Sequence, residues 1–298
     1  MTMPEPSVLR PAALAPGRAP WRLPRVTPYA ALLPMALTVL VAYIGGVLWT
    51  LRTSFTNSRT FASDQFIGLA QYERLFGNER WLLSLHNLAI YGVLFIAACV
   101  VIGCLLAIFI DQHVTGEGVL RTVFLYPYAM SFVATGLVWQ WLLTPGPGAS
   151  FDWIVDQDMV IYTVVIAGVW QASGLVMALM LAGLRGVDPE IWKAARLDGI
   201  PAWRVYLSIV LPMLGPTFAT VLLLLSTAVV KLYDAVVAMT QGGPGIASEV
   251  PAKFIMDHLF LRSNIGLASA GAMVLLAPVL AILVPYAYGR SRRRQGAR

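Results

Sequence analysis

The feature that most restricts this chain is a succession of six apolar runs, at about 28–52, 85–110, 119–143, 160–184, 208–237 and 267–289. Each is long enough to cross a hydrocarbon layer of about 30 Å. Charged residues make up 12% of the 298 residues, about half the share found in soluble domains. The expected fold class is therefore an all-α polytopic membrane protein with six transmembrane helices.

The flanks read differently. Residues 1–27 carry prolines at 4, 6, 11, 16, 20 and 24 among four arginines, a spacing that spoils the amphipathic helix of a transit peptide. They read as a basic, flexible cytoplasmic tail, and no signal peptide is expected before the first run. Residues 290–298 read as a second basic tail, leaving 28–289 as the membrane domain, with a cytoplasmic loop at 185–207. With both termini inside, fourteen of the 21 lysines and arginines fall on the cytoplasmic side, six outside, and Lys231 within the fifth run. That bias sets the orientation by the positive-inside rule. The loop 144–159 agrees, holding Asp152, Asp156 and Asp158 and no basic residue. Trp139, Trp141 and Trp153 on one side, and Tyr286 and Tyr288 on the other, suit interfacial belts.

Little in the chain points to covalent chemistry. There is no phosphate-binding GxxxxGK[ST] and no HExxH. His86, His113 and His258 lack partners at metal-ligand spacing, so no catalytic or metal-binding residue is assigned. Cys99 and Cys104 both lie inside an apolar run, where no disulfide framework is expected. What remains are polar groups inside the runs, which are costly in lipid and usually face a cavity or a partner. Lys231 and Asp234 stand three apart, on one helical face where they can pair, with Tyr233 directed elsewhere. They read either as the lining of a hydrophilic path or as a self-neutralised pair whose lysine snorkels to the interface. Trp170-Gln171-Ala172-Ser173-Gly174 joins an aromatic face to an amide, as a sugar ring would require, yet small residues at this spacing also pack membrane helices. Tyr126-Pro127-Tyr128, and Asn87 with Tyr91, are ambiguous in the same way. Nothing points to nucleic acid.

The most ordered polar interruption runs from Asp188 to Pro212. Asp188-Pro189 is a helix start, with proline where its missing N–H costs nothing. Gly199 and Pro201 stop that short helix, and a second helix is expected from near Trp203, running unbroken past Pro212 although Pro212 and Pro216 should bend the fifth run. Ala194 and Ala195 leave a smooth patch for another surface. Physically this is either an amphipathic helix lying on the membrane or a docking element.

Its spacing resembles the EAA loop of binding-protein-dependent ABC importer permeases: Lys193-Ala194-Ala195, then Gly199, then nine residues to Ile209-Val210-Leu211-Pro212. Asp198 before the glycine is typical of the carbohydrate branch of that family. Met239 to Pro244 is similar to its T-x-GGP segment, and Asn264 to Ala270 to the entry of its last helix. The resemblance covers residues 28–289, and the stretch EIWKAARLDGIPAWR looks closest to subunits of glucose or mannose importers. It departs at Lys193, where the family has glutamate; Glu190, one turn earlier, is a candidate substitute. The resemblance implies the six-helix type I importer permease fold, in a bacterial cytoplasmic membrane. It implies a second permease, two ABC ATPases carrying ATP and Mg²⁺, and a periplasmic or lipid-anchored solute-binding protein that delivers a mono- or oligosaccharide. It assigns ATPase coupling to Glu190, Lys193, Ala194, Ala195, Asp198 and Gly199. Carried over by position, and together with the polar groups read above, it places the substrate path at Tyr128, Phe132, Gly168, Trp170, Gln171, Ala172, Val229, Lys231 and Asp234. The family's asparagine stands where this chain has Lys231. The rival expectations are a secondary carrier using Lys231 and Asp234 as a proton site, and a non-transporting membrane scaffold.

Overall fold

The computed structural model describes residues 27–112, 114–144 and 152–295, with side chains from Leu32 to Ala281. The N-terminal tail up to Val26, His113 and residues 145–151 lie outside the described residues, as do the side chains of Tyr286 and Tyr288. Two units are distinguished, Met1–Leu48 and Trp49–Arg298. The described part of the first is helical and holds most of helix α1 (Leu32–Ser54), which widens into π-helical turns at Val39–Gly45. Its side chains up to Leu48 are exposed and largely apolar, among them Leu33, Met35 and Tyr43. Such a face is stable where hydrocarbon or another apolar surface covers it.

The second unit is built from helices. Its β pairing among the described residues is one isolated bridge between Thr56 and Phe66. In chain order come α2 (Ala70–Phe76), α3 (Glu79–Asp111), α4 (Glu117–Ala129), α5 (Phe132–Leu143) and α6 (Val160–Arg185). There follow α7 (Pro189–Leu197), α8 (Ala202–Met213), α9 (Gly215–Val230), α10 (Asp234–Met239), α11 (Pro251–Met256) and α12 (Ile265–Gln295). By length and apolarity α1, α3 and α6 can each cross a membrane, and α4–α5 and α8–α9 form two bent pairs that can each count as one span. The described apolar part of α12 is the shorter Ile265–Ala281.

Three differences from the sequence expectation have local causes. Helix α3 starts at Glu79 rather than 85, because Asn78 caps it, its side-chain oxygen accepting from the Arg80 N–H at 3.0 Å. Hydropathy does not register a polar first turn. The third run is two helices meeting at 98°. Pro127 removes a donor from the last turn of α4, Met130 turns extended, and Ser131 starts a new helix by accepting from the Ala134 N–H at 3.1 Å. The fifth run bends by 71° between Met213 and Gly215, so the helix from Ala202 passes Pro212 by one residue only and does not run on unbroken into the apolar stretch; Pro216 opens α9 on the far side. It also stops at Val230, and the chain restarts as α10 only at Asp234.

The core forms chiefly where α3 and α4 lie on α6. Gly174 is essential to that contact, since a Cβ there would sit 1.9 Å from the Phe124 carbonyl oxygen of α4. The small-residue packing reading of Gly174 therefore holds. Where α4 begins, Glu117 accepts from both Arg121 and Arg185 at 2.7 Å, fastening that end to the end of α6. Where α3 begins, Arg80 donates to both Glu249 oxygens at 2.8 and 2.9 Å and also bonds Asp257, which in turn accepts from Lys253 at 2.8 Å. The Asn87 amide donates to the carbonyls of Ala247 and Glu249. Together these hold the 240–258 segment, whose Gln241 to Gly245 portion is tightly turned, with positive φ at Gln241, Gly242 and Gly245. The entry to α12 is tied down as well, the Gly266 N–H donating to the Ser58 carbonyl at 2.8 Å.

Candidate functional site

Two places in the second unit gather the residues singled out from the sequence. The first is α7. Asp188 caps it by accepting from the Glu190 N–H at 2.9 Å, and Pro189 takes the first position. Its far end closes with Gly199 at φ +69°, where the Ile200 N–H reaches the Ala195 carbonyl at 3.0 Å and the Gly199 N–H reaches that of Arg196 at 3.2 Å. This left-handed closure is open to glycine at no cost. The helix is anchored by one face only. Ala195 is buried, and the Trp192 ring meets the Tyr206 ring edge-on at 5.0 Å. The Tyr206 hydroxyl in turn donates to Asp111 at the end of α3, at 2.9 Å. Glu190, Lys193, Ala194, Asp198 and Gly199 face outward. The two alanines thus divide, Ala194 outward and Ala195 inward, and the expected smooth patch is half its size. Lys193 and Glu190 approach each other at 3.5 Å while both remain largely exposed, a contact that stabilises little. A cleft of about 930 Å³ runs beside the anchored face, bordered by Asp111, Arg185, Trp192, Arg196 and Tyr206.

The second place is a cavity of about 290 Å³ among α3, α6, the α4–α5 break and the α9–α10 break. Tyr128, Phe132, Gly168, Gln171, Ala172, Lys231 and Asp234 all line it. Trp170 and Val229 do not. The Trp170 ring packs edge-on against Trp139 at 6.0 Å, and Val229 is buried, with a methyl 3.1 Å from where a Cβ of Gly92 would lie. Gly168 makes room for the Tyr91 hydroxyl, which a Cβ there would meet at 2.4 Å. Tyr91 stacks on Phe95 at 5.1 Å, and both belong to the wall. Gln171 has a second role: its amide donates at 3.0 Å to the Met130 carbonyl, which the break between α4 and α5 leaves without a helical partner.

Lys231 and Asp234 share the cavity wall without pairing, no ion pair within 4.0 Å joining them among the described residues. The i,i+3 reading assumed a continuous helix, whereas Lys231 ends α9 and Asp234 starts α10. The same break corrects the reading of Tyr233, which lines the cavity beside them rather than pointing elsewhere. A proton site that needs the two charges in contact loses its geometric basis. Thr135 and Phe95, which sequence reasoning passed over, also belong to the wall. An apolar run gives no sign of which face meets a cavity when its helix is broken. The Arg80–Glu249–Asp257 network was equally out of view, because its members lie 169 and 177 positions apart.

A family model described as "Binding-protein-dependent transport system inner membrane component" matches residues 99–294, which hold both α7 and most of the cavity wall. The "Probable ABC transporter permease protein PH1215" of Pyrococcus horikoshii is 32% identical over 86% of this chain and 93% of that protein. The "Trehalose/maltose transport system permease protein MalF" of Thermococcus litoralis is 26% identical over 89% of this chain and 94% of its own length. Among solved structures, a chain of a bacterial ABC transporter for the import of the acidic polysaccharide alginate superposes with a TM-score of 0.77 at 19% identity. That superposition spans 89% of this chain and 94% of the other, and shows that the fold is shared. The chain belongs to the binding-protein-dependent transport system inner membrane component family: it is a multi-pass, non-catalytic permease subunit of an ABC importer with the type I permease fold, and ATP hydrolysis belongs to a separate subunit.

Proposed function

We propose that this permease carries a carbohydrate, working with a second, different permease subunit, two ATPases that bind ATP and Mg²⁺, and a periplasmic or lipid-anchored solute-binding protein. The observation that carries the reading is the pairing, within one matched stretch, of an outward-facing capped helix with a hydroxyl- and aromatic-lined cavity. Relatives named for trehalose and maltose, for xylose and arabinose, and for sn-glycerol-3-phosphate support a polyhydroxylated cargo. In this reading α7 is the cytoplasmic docking element, both termini are cytoplasmic, and the membrane is a bacterial inner membrane. Glu190, Lys193, Ala194, Asp198 and Gly199 meet the ATPase surface, while buried Ala195 holds the helix to the bundle.

The mechanism follows from stiffness. ATPase closure pushes α7; Trp192, Tyr206 and Asp111 pass the displacement to α8 and α3, which wall the cavity or lead into helices that do. The bent pairs are where a helix can change angle without losing a full ladder of backbone hydrogen bonds, and so where the bundle can switch between two arrangements. The binding protein releases its cargo into the cavity while it is open to the outside.

The test is Gly199→Val in the complex reconstituted into vesicles with its ATPases and binding protein. A β-branched residue at φ +69° cannot hold the closure of α7 without strain, although the surrounding space is empty. The variant should insert and assemble but lose ATP-dependent uptake of labelled sugar. Wild-type uptake by the variant sinks the coupling role, and wild-type uptake that needs no ATPase sinks the whole reading.

A further inference from the structure

The cleft of about 930 Å³ beside the anchored face of α7 lies where two spans end. Asp111 is the last residue of α3 and Arg185 the last of α6, and both line it. The cleft therefore sits at the level where membrane-crossing helices leave the hydrocarbon, and its size is within the range of about 300–1,000 Å³ over which pockets hold small ligands. Its charged lining consists of three cations, Arg185, Lys193 and Arg196, and one anion, Asp111. That anion is already engaged, accepting from the Tyr206 hydroxyl at 2.9 Å. Arg185 shares Glu117 with Arg121, and Lys193 has only its loose contact with Glu190. Arg196 is exposed and makes no ion pair among the described residues. An anion entering the cleft thus meets one unpaired cation and two that are shared or loosely held.

The surface leading away from the cleft indicates which anion. Gln112, which lines the cleft, caps the end of α3 with φ −75°. Leu105 and Val101 precede it by seven and eleven positions, which at about 100° per residue places both within roughly 20° of its face. They are 62% and 57% exposed. An apolar stripe therefore runs up the span from the cleft, as an acyl chain requires and as a free phosphate or an acidic peptide does not. Beside the cleft, α8 diverges from α9 by 71° and so runs closer to the membrane plane than across it. It exposes Trp203 and Leu207, with the Arg204 guanidinium over the Trp203 ring at 5.4 Å, groups that settle in a headgroup layer. Basic pockets between membrane helices at that level suit anionic headgroups. We propose that this cleft binds an anionic glycerophospholipid, its phosphate held by Arg196 with Arg185 and Lys193 and one acyl chain lying along Leu105 and Val101. The site requires only a bilayer and stands whichever solute the permease carries.

The experiment is native mass spectrometry of the full complex, ATPases included, titrated in detergent with dioleoylphosphatidylglycerol or dioleoylphosphatidylcholine. Wild type should bind the anionic lipid about tenfold more tightly, the scale of one charge-assisted hydrogen bond. Arg196→Gln should remove most of that preference and Arg196→Lys should keep most of it. The control Arg204→Gln removes a cation outside the cleft and should leave the preference unchanged. A phosphatidylglycerol with a photoactivatable diazirine in its acyl chain should label residues 101–112 of the wild type ahead of the other exposed spans, a readout that needs no variant. Equal affinity of wild type for the two lipids overturns the proposal. Equal losses in Arg196→Gln and Arg204→Gln also overturn it, since they mark diffuse surface charge, as does labelling spread evenly over the spans. Displacement of the lipid by inorganic phosphate at equal concentration makes the cleft a free-anion site and overturns the lipid. Binding to the two permeases alone that vanishes once the ATPases are mounted assigns the cleft to the protein interface, and the proposal falls.

Discussion

Asp257 and His258 are neighbours in sequence whose titration pulls in one direction. Burial would raise the Asp257 carboxyl, but hydrogen bonds and charges from Lys253 and Arg80 outweigh it and hold the group below its ordinary 3.8. Burial pushes the His258 imidazole below its ordinary 6.5; a bond to the Phe254 carbonyl opposes this, Arg262 and Arg80 add to it, and Asp257 opposes it. A group whose folded value lies below its unfolded one contributes stability above the unfolded value, and loses it as pH falls toward the folded value. Acidification should therefore weaken the fold in two steps, the first beginning near pH 6.5 for His258 and the second near pH 3.8 for Asp257. Melting midpoints of the purified complex against pH would show both steps, and His258→Phe should remove only the first. None of this was legible in the sequence. Glu249 there is one acid in a turn-rich loop, and only the folded chain shows it almost wholly buried against Arg80. The positive-inside count treats Arg80 as one exposed charge, where the fold spends it on two carboxylates.

Among the elements, those whose signals are local were readable and those whose signals are distant were not. Helix α7 needs Asp188, Pro189 and Gly199, all within one short stretch, and its observed bounds match the expectation closely. The breaks in the third and fifth runs are also written locally, in Pro127, Ser131, Pro212 and Pro216. A hydropathy window averages them away because the flanking residues remain apolar. What satisfies a break is not local at all. Gln171, read from the sequence as a cavity amide, also closes the Met130 carbonyl across the gap between α4–α5 and α6. Gln171→Leu, similar in bulk, should leave that carbonyl unmet and cost about 1–3 kcal/mol. A lower melting midpoint with unchanged helical circular dichroism would register it; an unchanged midpoint would mean that the bond is dispensable.

At the scale of the molecule, composition alone dictated helices in a membrane, and the exposed apolar faces agree: Val93, Val101 and Leu105 on α3 and Trp141 on α5 would be liabilities in water. Composition did not dictate how the helices join. The cavity exists because four elements are interrupted or indented around one point, an arrangement that no single run announces. The interruption at Met130–Ser131 bears on how the protein is made as well as on how it works. The third run leaves the ribosome before the fourth, and the partner of its open carbonyl arrives 41 residues later. Until then that carbonyl has only water or the insertion machinery to bond, since hydrocarbon offers nothing. The third run should thus be admitted to the bilayer together with the fourth. In a translation series with glycosylation acceptors in the flanking loops, chains ending before residue 160 should leave the third run incompletely inserted, and chains extending past residue 185 should seat both. Full insertion of the shorter chains would show that the broken span needs no companion.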